Sequence, residues 1–240
     1  MSGTAIASAK GTSPAAYTCT NGDIQSGSYA SITVTGFCEV ADNAVITVVG
    51  NVDVAAGAFL DAQSAPSTIT VGHNVTAAAG SLLGLGCQPF GYVPHAAHPC
   101  TVDSDGHSVI TVNGNVTATD ADTVLLNGIT VNGNVTLTGG GGPIPWAEKN
   151  NTIGGNLTIS NVTPDWLGVL FNHIAGNATL TNITATDPED DGNAAVSVVV
   201  NTIGRNLNCT GLGPRLSGGA IPGEVNFVGH NATGQCAALV

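Results

Sequence analysis

The densest set of groups able to do chemistry lies in HAAHPCTVDSDGH, which brings together His95, His98, Asp103, Asp105 and His107. Imidazoles and carboxylates at this density are the ligand types of zinc and copper. An H-x-x-H pair on a loop lacks the preorganisation a helix supplies, so a solvated polar loop is the competing reading. A second run, DPEDDGN, places Asp187, Glu189, Asp190 and Asp191 together, oxygen ligands of the kind calcium takes. The twelfth residue counted from Asp187 is Val198, so the EF-hand layout is missing and a solvated excursion competes here too. A divalent metal (zinc, copper or calcium) is the cofactor class these residues suggest.

Aromatic residues are scarce, at 4% of the chain, which singles out Trp146, Trp166 and Phe171. They fall in two successive variable stretches, PIPWAEKNN and TPDWLGVLFN, which also carry Lys149 and Asp165. Aromatic rings with polar neighbours suit stacking against a sugar, so these five residues form the candidate contact face for a polysaccharide or cell-envelope glycan. The competing reading is a tryptophan that covers the side of the core. Polysaccharide cleavage by a lyase or hydrolase is the catalytic alternative. Hydrolysis needs two carboxylates at a fixed separation, yet the repeat counterparts of Asp53 are Thr76, Thr117, Thr136, Thr158 and Thr179. The arginine nearest such a position, Arg205, has no acidic neighbour in sequence. A third reading comes from the outward pairs Thr117/Thr119, Thr136/Thr138, Thr158/Ser160 and Thr179/Thr181, a T-x-T array of the kind found on ice-binding solenoids. Threonine is also simply a good outward strand residue.

What must position these groups is a repeat. Segments written under one another read ITVVGNVDV, ITVGHNVTA, ITVNGNVTAT, ITVNGNVTLT, NTIGGNLTIS, HIAGNATLT, NTIGRNLNCT and NFVGHNATG. Their asparagines, Asn51, Asn74, Asn115, Asn134, Asn156, Asn177, Asn206 and Asn231, are spaced by 23, 41, 19, 22, 21, 29 and 25 residues. The interval of 41 reads as two rungs, the second holding an insertion. In ITVNGNVTLT, Ile129 and Val131 alternate with Thr130, then Val135 and Leu137 alternate with Thr136 and Thr138. A period of two on both sides of Asn132-Gly133 predicts two short strands with aliphatics inward, joined by a turn whose residues tolerate positive φ. No rung buries its apolar face alone, so the rungs must stack. The expected fold is all-β: a single-stranded right-handed parallel β-helix (a β-solenoid) of roughly 8–10 rungs of about 20 residues. Residues 1–16 form a flexible N-terminal segment, 17–240 a single domain, and 86–108 an inserted loop. Equivalent asparagines in such a stack can form an amide ladder. That accounts for the ten N-x-S/T sequons as fold grammar rather than glycan attachment.

Composition narrows the partners. The chain has 4 basic and 16 acidic residues in 240, for a formal net charge of −12. So few cations cannot neutralise phosphates, which excludes nucleic acid and disfavours anionic membranes. No apolar run is long enough to span a bilayer. The six cysteines, Cys19, Cys38, Cys87, Cys100, Cys209 and Cys236, fall into three local pairs without a C-x-x-C, which reads as disulfides made in an oxidising compartment, with connectivity left open. The opening MSGTAIASAKGTSPAAYTC has no apolar signal region and reads as a mature segment behind an added start codon.

The start YTCTNGDIQSGSYASITVTGFCEV, the (V/I)xGN turns, NTIGRNLNCTGLGP and the closing GQCA resemble a set of uncharacterised secreted actinobacterial proteins, over about Tyr17 to Leu239. The resemblance implies a secreted β-helix and brings no catalytic residues; the segment GYVPHAAHPC departs from that pattern. The expectation is therefore a secreted, non-catalytic surface or polysaccharide-binding module, monomeric or weakly self-associating.

Overall fold

A computed structural model describes residues 13–93, 95–186, 195–219 and 225–240. The chain forms a parallel β-solenoid with three strand faces. Face A follows the Gly-Asn turns and carries Val52–Val54, Val75–Ala77, Val116–Thr119, Val135–Thr138, Leu157–Val162, Ala178–Thr184 and Leu207–Gly213. Face B carries Phe59–Ala62, Leu82–Leu85, Thr123–Asn127, Trp146–Lys149, Leu167–Leu170 and Val196–Val199. Face C carries the ITV segments, from Ala44–Val48 and Ser67–Val71 through Val109–Val112 to Thr202–Ile203 and Phe227–Val228. Each strand pairs in parallel with its equivalent one rung on, as in Val116 with Val135, Leu125 with Ala147, and Ile69 with Ile110. Ten segments stack on face A among the described residues, from 17–19 to Ala232–Gly234.

Alternation drives this arrangement. Val135 and Leu137 are fully buried while Thr136 and Thr138 face out, so each rung contributes one aliphatic layer to a continuous interior about 4.8 Å from the next. The N-terminal rungs, lined by smaller side chains such as Val48, Ala62 and Val75, leave an apolar void of about 30 Å³. From Val116 onward the interior is closed by Leu137, Trp146, Leu157 and Leu180, none exposed.

Three sequence expectations are corrected. Each rung has a third strand, on face B, built from stretches that read as variable, such as TVLLN and WAEK. The interval of 41 residues is one rung: Val75 pairs directly with Val116 and Ile69 with Ile110, so 86–108 is an excursion from a single turn of the coil. Gly133 does not serve positive φ, which belongs instead to Gly57, Gly80, Asp120, Gly139, Asn161, Asn182 and Gly211 at the corner between faces A and B. Gly133 is required because a Cβ there would lie 2.5 Å from Asn115 Oδ1 and from the Gly114 carbonyl of the rung before.

The expected amide ladder is present. Asn115 Oδ1 accepts from Asn134 N at 2.8 Å and Nδ2 at 3.2 Å, and the pattern runs from Asn51 to Asn231 along an exposed corner. A second ladder, buried at the corner between faces B and C, joins Asn151, Asn172, Asn201 and Asn226. Each of these also donates Nδ2 to a backbone carbonyl, such as Asn172 to Glu148 at 2.7 Å. The preceding residues, Asn150, Phe171 and Val200, all take positive φ, near 55°. That conformation is unfavourable for a bulky or β-branched residue; the ladder on the next residue holds it there.

Disulfides join Cys19 to Cys38, Cys87 to Cys100 and Cys209 to Cys236, and no cysteine is free. No helix is long and apolar enough to cross a membrane among the described residues.

Candidate functional site

The insertion folds back on the corner between faces B and C. Cys87–Cys100 closes it, Gln88 and His98 form an antiparallel bridge at its neck, and Asn150 Nδ2 donates to the Ala96 carbonyl at 2.9 Å. Between loop and corner lies a crevice of about 190 Å³ walled by Tyr92, His95 and Phe171, with Val93, Ala96 and Asn150 beneath. The His95 imidazole and the Phe171 ring are nearly parallel, with centroids 6.5 Å apart. Tyr92 is braced from outside by His107, stacked at 4.9 Å.

Residues from two separate sequence candidates thus meet here. His95 comes from the proposed metal loop and Phe171 from the proposed aromatic face. Lys149 of that same face precedes Asn150 and is register partner to Leu170, which precedes Phe171. Burial lowers the His98 imidazole pKa; Lys149 lowers it further, while Asp61 opposes both.

The remaining candidates do not converge. Trp146 is no sugar platform: it points into the core, has no exposed surface, and its indole donates to the Asp122 carbonyl at 2.9 Å. Trp166 is partly buried and packs its ring against Gly168, where a Cβ would fall 2.1 Å from it. That places Trp166 and Asp165 at the start of the strand Leu167–Leu170, and Phe171 beyond its far end. Asp103 accepts from Asp105 N at 3.1 Å and shapes a local turn. Among the described residues no three His, Cys, Asp or Glu side chains are grouped to hold a metal ion. Asp187, Glu189, Asp190 and Asp191 lie outside the described residues.

Two features went unread in the sequence. Asp23, Glu39 and Asp61 stack in register on the outer side of face B; they escape notice because GDI, CEV and LDA lie outside the repeated phrase. Asp61 is committed to its own turn, accepting from Gln63 N, Ser64 N and Ser64 Oγ at 2.8, 2.9 and 2.6 Å. The second is Glu148, fully buried in the inward column of Leu126 and Val169 with neither carboxylate oxygen hydrogen-bonded. Burial pushes its carboxyl well above the usual range and lowers the Lys149 ammonium. The two are consecutive on one strand and leave it on opposite sides, so no close ion pair forms and each charge offsets the other's shift only in part.

Face A presents the T-x-T array in register: Thr117, Thr136, Thr158 and Thr179 in one column, Thr119, Thr138, Ser160 and Thr181 in the other. Beside it, Asn115, Asn134 and Asn156 line a shallow polar groove of about 360 Å³ with Thr117, Thr136 and Thr158. No family model, curated protein or solved structure matches the chain.

Proposed function

We propose that this chain is a secreted, non-catalytic module that binds polysaccharide in the crevice under its disulfide loop. The observation that carries this reading is the placing of Tyr92, His95 and Phe171 around a volume of about 190 Å³ with the Asn150 amide beneath. Ring faces pack against the apolar C–H faces of a sugar, while amide and imidazole groups fix its hydroxyls. The scaffold supports the role. The loop is stapled at Cys87–Cys100, and the floor is held by the buried ladder, so little ordering cost falls on binding. Secretion accords with three disulfides and no free thiol. Titration of glycan-array hits by calorimetry tests the reading: Phe171→Ala should weaken binding about tenfold or more. Binding untouched by both Phe171→Ala and Tyr92→Ala would place the ligand elsewhere.

A second reading, ice binding, is favoured by the in-register T-x-T columns on face A. Thermal hysteresis that vanishes in Thr136→Lys but persists in Phe171→Ala would establish it.

A further inference from the structure

We infer that the crevice selects a sugar bearing a carboxylate, and that the ammonium of Lys149, the residue next to Asn150 in the chain, is the group that reads it. This rests on the glycan-binding reading above and narrows its ligand class.

Position is the first argument. Lys149 lies one residue before Asn150 in the crevice floor, and its register partner Leu170 lies one residue before Phe171. The cation is thus one residue from Asn150 on its own rung, and its register partner on the next rung is one residue from Phe171.

The second argument is charge. Lys149 is one of 4 basic residues against 16 acidic ones, half-buried, and without an ion-pair partner among the described residues. The two carboxylates that bear on this neighbourhood are otherwise engaged. Glu148 leaves the strand into the core, and Asp61 is held by three hydrogen bonds within its own turn. A cation partly withdrawn from water, offset only in part by the buried Glu148, gains when an anion arrives, because hydrogen bonds between charged groups are the strong ones. Its lowered pKa agrees with that incomplete solvation.

Overall charge sets the limit on the ligand. A net −12 repels a densely charged polyanion at long range. The crevice therefore takes an isolated uronate, at a chain end or on a sparsely acidic polymer, with the neutral remainder against the rings.

Matched oligosaccharides of gluco and galacto configuration, each neutral or with one uronate unit, test this by calorimetry at neutral pH. The wild type should bind a uronate form about tenfold tighter than its neutral partner. Lys149→Met should erase that preference, so that the two forms bind alike, and Lys149→Arg should keep it. Circular dichroism and thermal unfolding check that both variants fold. Equal, Phe171-dependent affinity for both forms in the wild type would overturn the carboxylate inference and leave glycan binding standing. Binding of neither form would remove both. A uronate preference surviving in folded Lys149→Met would overturn the role of Lys149.

Discussion

One corner of the solenoid is built in two ways. In three successive rungs of the C-terminal half the chain turns from face B to face C through a single positive-φ residue followed by a buried asparagine: Asn150-Asn151, Phe171-Asn172 and Val200-Asn201. In the N-terminal half the same corner is open. It passes through Gln63–Pro66 in one rung and through the whole excursion 86–108 in the next. The ladder stops at Ile129, whose backbone N–H is the last to find an asparagine side chain, Asn151 Oδ1, at 3.0 Å. A buried amide ladder satisfies the corner's backbone, and at 150–151, 171–172 and 200–201 it does so with no extra chain; the last corner, between Leu216–Ser217 and Phe227–Val228, is longer and still contributes Asn226. Where it lapses, the coil can admit an insertion, and the candidate site lies at the boundary between the two solutions.

Cutting the buried ladder should have the largest effect. Asn172→Ala removes a donor to the Glu148 carbonyl and the acceptor of both Asn151 N and Asn151 Nδ2. With several buried groups orphaned together, the expected loss is about 3 kcal/mol or more, read by denaturant unfolding. A loss under about 1 kcal/mol would show that the corner does not depend on its amides. Next in size is Glu148→Leu, which restores the aliphatic column of Leu126 and Val169 and should stabilise by about 1–3 kcal/mol. Its pH signature is distinctive. The folded protein keeps the Glu148 proton while the unfolded chain releases it near 4.5. This group's contribution is therefore least unfavourable below that pH, and stability declines as pH rises until the folded-state value is passed. Glu148→Leu should flatten that decline; an unchanged slope would refute the buried neutral acid. Smallest is Asn134→Ala in the exposed ladder, expected to cost about 1 kcal/mol or less because water replaces the lost amide. A cost equal to that of Asn172→Ala would erase the distinction between the ladders.

The sequence showed what repeats with strict phase. Val135, Leu137 and Thr136 alternate openly, and Asn134 recurs at one position, so faces A and C and the exposed ladder were legible. Face B was not, because several of its strands, Leu82–Leu85 and Trp146–Lys149 among them, are buried at their outward positions as well. In WAEK, Trp146 and Glu148 point inward and Ala147 is buried as well, so no polar alternation marks a strand. The buried ladder was hidden differently. Asn151 and Asn172 stand in plain view, but the positive-φ residue that turns them inward is asparagine, phenylalanine or valine from rung to rung. The crevice joins His95 to Phe171 across an insertion whose placement depends on counting 41 residues as one rung, a register that only the pairing of Val75 with Val116 reveals.

The cysteine pattern carries a consequence for how the molecule is made. Each disulfide joins a cysteine to the next one in sequence, over separations of 19, 13 and 27 residues. A chain delivered from its N-terminal end can therefore seal Cys19 to Cys38 before Cys87 has emerged, and Cys87 to Cys100 before Cys209 exists to compete. Winding the coil and oxidising it can proceed in the same order and direction. The native pairing is then the first available at each stage, so assembly has little need of an isomerase to correct it.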